Sequence, residues 1–299
     1  TSSLNYSQLG YLPKSAPFES VGELRLVYGA TLDLLQGEDV NRNGVLDPNE
    51  QDLNGNGQAD PGLLDVFTVY SREPNFASDG TSLTNVNDRT EISALLQNVL
   101  GSSRANEITT RLFPAGGQGG GGGQGGGQQG GQQTTFASLL DFYIRSQMTS
   151  DEFAEIYDAI TINTNAAFTV GRVNINTAPA SVLACLPGMD INSAQQIVNY
   201  RQSNSVNYNS IAWVVDALGG TNTPAVQALA RGDYITAKSF QFSADVAALG
   251  PFGRGYRRVR FVFDTTEGTP KIIYRQDLGR LGWALGRKTR DTWVAQNTR

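Results

Sequence analysis

Twenty residues near the middle of the chain, Pro114 to Gln133 (PAGGQGGGGGQGGGQQGGQQ), consist almost wholly of glycine and glutamine. Such a stretch cannot bury enough apolar surface to offset its ordering entropy, so it reads as a surface loop or linker. Any core must therefore be built from the sequence on either side. At 299 residues the flanks suffice for two or more compact units. A phosphate-cradling loop is not indicated, because no GK[ST] follows and no strand leads directly in.

A second stretch with little to pack spans residues 36–62, where Asp, Asn and Gly dominate. Within it, Asp39, Asn41, Asn43, Asp47 and Glu50 place oxygen-bearing side chains at loop positions 1, 3, 5, 9 and 12, with Gly44 at position 6. Calcium takes six to eight hard oxygen ligands, and a loop of EF-hand type supplies them at this spacing. The main-chain carbonyl at position 7 falls on Val45, and Leu46 is the usual inward apolar residue at position 8. A copy follows thirteen residues on, with Asp52, Asn54, Asn56, Gly57 and Asp60 in register and Gln58 at position 7. Its position 12 is Leu63, so this copy lacks the bidentate glutamate and would borrow Asp65 or Glu50, or stand empty. Ca2+ is the cofactor this pattern calls for. Asn at positions 3 and 5 lowers the ligand charge, which suits the millimolar calcium of an extracytoplasmic space better than a cytosolic sensor. No long helix follows the loops, so the expected role is to hold them in shape.

The absence of histidine removes Ser–His–Asp and Cys–His nucleophilic systems, HExxH zinc sites and imidazole acid–base catalysis. The acidic residues cluster in the loops and form no second constellation, so no enzyme is expected. A net charge of −5 gives no general attraction to nucleic acid. Cys185, the only cysteine, sits in an apolar run (Val182 to Leu186) and reads as a small buried residue rather than a reactive thiol. No apolar stretch reaches the length of a membrane span and no signal-peptide pattern is present. The chain begins at Thr1 rather than Met, so an upstream segment is expected to have been removed, and a missing anchor stays open.

Periodicity predicts a short amphipathic helix over Phe18–Gly29, a strand over Asp65–Tyr70, and two helices, Glu91–Leu100 and Arg104–Leu112, around a Gly-Ser-Ser turn. Further helices are predicted over Thr135–Ser146, Ser150–Ala159 (N-capped by Ser150), Asn209–Leu218 and Pro224–Ala230. The period then changes. Ile235–Val246, Tyr256–Phe263 and Lys271–Arg275 read as strands, with Thr265–Gly268 as a turn, which predicts an antiparallel meander. The arginines at 280, 287 and 290, with Trp283 and Trp293, read equally as a contact surface or a frayed tail.

Val173-Asn174-Ile175-Asn176 leads into Ser181–Leu186, a Pro187-Gly188 hairpin, and a second helix carrying Ala194, Ile197, Val198 and Arg201. This reads as a helix-hairpin-helix-like, or SAM-like, unit. A weaker copy lies 89 residues earlier, where Asn85-Val86-Asn87, Ala105 and Ile108 match Asn174-Ile175-Asn176, Ala194 and Ile197. Such units often bind DNA through hairpin amides. Here Asp190 would face the phosphate, and Arg172 and Arg201 are offset by Asp190 and Asp216, so a structural or protein-contact role is favoured.

Taken in order, Pro17–Leu24, the Asp39–Asp60 loops, the Val173–Ala178 unit, and the Ser239–Phe242 and Tyr256–Phe263 strands make the chain resemble the K-type minor pseudopilin of the type II (general) secretion pathway. The two calcium-type loops and the Gly-rich insert look like variants of planctomycete-type sequences. The resemblance implies an α+β fold of pseudopilin type: helix-hairpin-helix-like modules and a C-terminal antiparallel β meander. Within that fold the expected regions are a helical start (1–35), calcium loops (36–65), a first module (66–113), the linker (114–133), a second module (134–232) and C-terminal strands (233–299). It further implies a structural part at the tip of a pseudopilus on the periplasmic face of the inner membrane. There it would contact the I- and J-type minor pseudopilins and secreted substrates, and the full-length protein would be anchored by an N-terminal helix absent here. A helix-hairpin-helix DNA-binding or DNA-uptake protein is the alternative.

Overall fold

The computed structural model describes residues 6, 9–77, 79–114, 135–163, 166–250 and 255–297. The expected linker, apart from Pro114, lies outside them. The chain divides into two compact units, Arg72–Phe240, and Thr1–Ser71 with Gln241–Arg299.

The unit Arg72–Phe240 is mainly helical and holds the large apolar core, whose members all lie between Val86 and Ile235. It is built from one pattern used twice. Strand β2 (Thr84–Asn85) is followed by helices Arg89–Leu100, Ser102–Leu112, Leu139–Ser146 and Ser150–Ile156, and closes on strand β3 (Ile160–Thr161), parallel to β2. Strand β5 (Val173–Asn174) is likewise followed by helices Ala180–Leu183, Ile191–Ser203, Trp213–Ala217 and Pro224–Ala230, and closes on parallel strand β6 (Ile235–Thr236). The 89-residue register read from the sequence is kept in space. Val86 and Ile175 are both fully buried, and their N–H groups donate to Thr161 O and Thr236 O, each at 3.0 Å. Asn85 and Asn174 turn the chain the same way, each accepting from the N–H two residues on (2.9 and 2.8 Å). Ala105 and Ile108, like Ala194 and Ile197, are fully buried at the matching turns of their helices. An antiparallel pair, β1 (Arg72–Pro74) with β4 (Phe168–Val170), joins the copies.

In the other unit, β7 (Gln241–Leu249), β8 (Tyr256–Asp264) and β9 (Lys271–Asp277) form the expected antiparallel meander, in the order β7-β8-β9. Gly268, at φ +84°, closes the β8–β9 turn by donating to Thr265 O. A C-terminal helix spans Arg287–Asn297.

Several sequence expectations change. The Phe18–Gly29 helix shrinks to a 3₁₀ segment, Val21–Leu26, capped by Ser20 and Glu23 but burying no residue, so nothing rewards a longer helix. Asp65–Tyr70 is not a strand: Leu63–Val66 forms one helical turn, and Phe67 ends it half-exposed. The β-branched run there finds no partner strand. The long Ile235–Val246 strand is two strands in different units. Residues 237–239 are drawn out of any ladder by bonds from Asn176 Nδ2 to Ala237 O (3.0 Å) and from Asn174 Nδ2 to Ser239 Oγ (2.8 Å). Helix 150–156 is capped by Thr149, not Ser150. Cys185 is exposed, because it lies just past helix Ala180–Leu183, where Leu183 and Leu186 turn inward and the cysteine does not.

Candidate metal centre

The first loop is closed by its own carboxylates. Asp39, almost wholly buried, accepts from Asn43 N–H at 2.9 Å and Gly44 N–H at 2.7 Å. Glu50 accepts from Asn41 N–H (3.1 Å) and Asp47 N–H (3.0 Å), so position 12 is tied to positions 3 and 9. Asp47 Oδ2 accepts from the carboxamides of Asn41 (2.9 Å) and Asn43 (3.0 Å), and Asn43 Oδ1 accepts from Val45 N–H. Burial pushes the Asp47 carboxyl up. Bonds from Arg287 N–H, Asn43 and Asn41 outweigh that and hold it below the ordinary aspartate value.

The second loop repeats this wiring. Asp52 accepts from Asn56 and Gly57 N–H, as Asp39 does from Asn43 and Gly44. Asp60 Oδ2 accepts from Asn54 (2.6 Å) and Asn56 (3.0 Å), and Asn56 Oδ1 from Gln58 N–H. The place of Glu50 is taken by Glu38. This buried residue accepts from Leu53 N–H at 2.8 Å and Asp60 N–H at 3.4 Å. Sequence reasoning missed Glu38, because it precedes the loop by fourteen residues instead of closing it. Glu38 N–H and Asp39 N–H both donate to Asp60 O, which brings the residue across. Asp65 lies elsewhere, its Oδ1 shared by Arg42 and Arg260, and Glu50 serves the first loop alone.

Among the described residues, no three of His, Cys, Asp and Glu converge as around a metal ion. The carboxylate oxygens instead face amides. The donor set nevertheless suits a hard cation: all oxygen, largely carboxylate and carboxamide. One atom points the same way, for Asn41 Oδ1 at position 3 is buried without a hydrogen-bond partner. An orphaned acceptor of this kind costs about 1–3 kcal/mol unless something binds it.

The first loop is also held from outside. Arg258 on β8, only 1% exposed, donates Nη1 to Asn41 O at 2.8 Å and Nη2 to Arg42 O, and forks onto the Asp245 carboxylate. Asn43 Nδ2 reaches Trp283 O, and Arg287 N–H donates to Asp47 Oδ1 at 2.7 Å, so a loop carboxylate sits on the first residue of the C-terminal helix. Trp283, open to either reading from the sequence, stacks on Tyr256 with ring centroids 4.7 Å apart.

The paired-helix segment has a different chemistry. A Cβ on Gly188 (φ +73°) would stand 2.2 Å from Ala228 Cβ, so the hairpin glycine serves close packing against helix Pro224–Ala230. Asp190 caps Ile191–Ser203 through Ser193 N–H at 2.7 Å, which puts a carboxylate where a phosphate would need to sit. Arg172 is buried between Asp233 and Glu73, and Arg201 Nη1 donates to Ile175 O at 2.9 Å. Neither arginine is turned toward a backbone phosphate.

Residues 173–232 match the family model of type II secretion system (T2SS), protein K. These are 60 of the 299 residues, and they cover the second strand-and-four-helix copy up to, but not including, its closing strand. No curated protein and no solved structure matches the chain. The resemblance to a K-type minor pseudopilin drawn from the motifs is thus met by an independent match, which opens on the segment carrying Asn174-Ile175-Asn176. That match supports a pseudopilin role in type II secretion. No described helix is long and apolar enough to cross a membrane.

Proposed function

We propose that this protein is a structural part of a type II secretion pseudopilus, placed at the fibre tip on the periplasmic face of the inner membrane and joined there to the I- and J-type minor pseudopilins. The observation that carries the reading is the protein K match over 173–232, in a segment where Arg201 and the hairpin Gly188 are spent on internal packing, as is Arg172 just before it. The chain acts as a scaffold and not as a catalyst. Co-purification with separately expressed I- and J-type minor pseudopilins tests it. A stoichiometric complex is expected, and no association at micromolar concentration would overturn the reading.

Calcium belongs to the same proposal. Asp39, Asn41, Asn43, Asp47, Glu50 and the Val45 carbonyl would hold one ion. Asp52, Asn54, Asn56, Asp60 and the Gln58 carbonyl would hold a second, with Glu38 in place of the missing position-12 glutamate and Asp65 left to its arginines. A bound cation would supply fixed positive charge and no chemistry. The orphaned Asn41 Oδ1 and the repeated wiring of the two loops support this assignment.

A further inference from the structure

We propose that the outer edge of β7 is a docking site for an extended strand of another protein, joined by main-chain hydrogen bonds. The phase of the β7–β8 ladder shows which groups are free. Gly250 N–H donates to Gly255 O at 2.9 Å, so the 250/255 pair is hydrogen-bonded, and alternation assigns the same to 248/257, 246/259, 244/261 and 242/263. From the far side, Leu278 N–H donates to Arg258 O at 2.8 Å, so Arg258, opposite Ala247, turns its main chain toward β9. Both observations leave Ser243, Asp245 and Ala247 with N–H and C=O pointing away from β8. Among the described residues nothing pairs with them there.

The two edges of this sheet are managed differently. β9 carries a register shift opposite Val262/Phe263, together with Lys271 and Arg275, the features that blunt an edge. β7 (QFSADVAAL) pairs with β8 without interruption over nine residues and contains no proline. Its single charge, Asp245, is engaged across the sheet by Arg258 and Arg260. Alanines at 244, 247 and 248 present little steric obstacle. Phe242 and Val246, about half exposed, give an added strand an apolar face to extend.

The occupant is a different polypeptide and not a second copy. Antiparallel self-pairing along the whole strand centres on Asp245 and sets the two part-exposed carboxylates directly opposite with no cation added between them, whereas a strand with a basic residue there adds one. The fitting strand is apolar opposite Phe242, Ala244 and Val246 and basic opposite Asp245. Residues 256–264 of this chain already have that pattern, with Arg260 opposite Asp245.

A synthetic peptide of residues 256–264 is therefore the probe, read by residue-resolved amide exchange on the intact chain. Exchange at Ser243, Asp245 and Ala247 should slow about tenfold or more on peptide addition, while Phe242, Ala244 and Val246 stay unchanged. A peptide N-methylated along its pairing edge should give no slowing. Ala247→Pro removes only an outward donor, so it should weaken peptide binding about tenfold and leave the melting temperature unchanged. If that variant fails to fold, the N-methylated peptide decides alone. The proposal is overturned if exchange does not slow, if the N-methylated peptide protects equally, or if Ala247→Pro binds like the wild type. Concentration-dependent protection of the three amides in the free protein would also overturn it, because a second copy would then hold the edge.

Discussion

Each of the two units has an interior of its own kind. Arg72–Phe240 has a continuous apolar core from Val86 to Ile235, with residues such as Phe142, Phe153 and Ile175 fully buried. The unit formed by residues 1–71 and 241–299 has few such residues among those described, chiefly Leu35, Leu64 and Leu278. Its buried interior is instead largely polar: Glu38, Asp39, Asp47, Arg258 and Asp264. Burial of apolar area is non-directional and needs no particular partner, whereas a buried polar network stabilises only while every member is paired. The first unit should therefore respond to lost volume and the second to lost partners, including a lost cation.

Phe142→Ala should produce the largest effect and mark the apolar side of the contrast. The ring is fully buried and packs edge-on against Phe136 at 5.3 Å between centroids, so its removal should cost about 3–5 kcal/mol. Denaturant unfolding followed by hydrogen exchange should place the loss in residues 84–236 and leave the sheet unit unchanged.

Arg258→Met is the counterpart in the polar interior. It strands two loop carbonyls and one carboxylate, and removing one partner of a buried pair typically costs about 3–5 kcal/mol. Asp245 is part-exposed, which brings the expected loss toward the lower figure. Exchange should accelerate across 39–50 as well as in β7 and β8. If only the sheet loosened, the loop would not depend on the arginine.

Calcium should separate the units without any mutation. At a hundredfold excess over Kd, a bound ion stabilises by about 2.7 kcal/mol, and a chelator removes that gain. Protection should rise in residues 37–65 and at the start of the C-terminal helix, through Arg287 on Asp47, and remain flat in 84–236. Glu38→Gln should lower calorimetric stoichiometry from two ions toward one by emptying the second loop, and Glu50→Gln should do so by emptying the first. Equal thermograms for wild type and Glu38→Gln would remove Glu38 from the site.

The same contrast explains how much the sequence discloses. In the helical unit the signals are local, apolar positions at helical spacing above all, so Pro224–Ala230 and most other helices are placed within a few residues, although the cap read at Ser150 falls on Thr149. The repeat is legible because Asn85 and Asn174 bond to the chain two residues on. The loop ligands are legible for the same reason, since their spacing is short and fixed. What pins the loop is not legible, for Arg258 meets Asn41 O across 217 positions and Arg287 meets Asp47 across 240. Asp65–Tyr70 shows the reverse error, where β propensity without a partner strand yields no strand.

Acid titration probes a place where two helices of the Arg72–Phe240 unit are joined by an ion pair. Arg104 forks onto Glu152, with Nε to Oε1 at 2.8 Å and Nη2 to Oε2 at 2.9 Å, and links helix Ser102–Leu112 to helix Ser150–Ile156. The Arg104 hydrogen bonds hold the Glu152 carboxyl below the ordinary glutamate value against a smaller opposing burial effect. The folded state thus binds this proton more weakly than the unfolded state. The contribution is complete above the unfolded pKa, near 4.5, and is lost as pH falls through the lower folded value. Both side chains are about one-quarter exposed, so solvent screening limits the pair to about 1 kcal/mol or less. Glu152→Gln should therefore lower stability slightly at pH 7 and converge with the wild type at low pH. A constant difference between the two down to pH 2 would assign the loss to the Thr149–Glu152 capping box instead of to the charge pair.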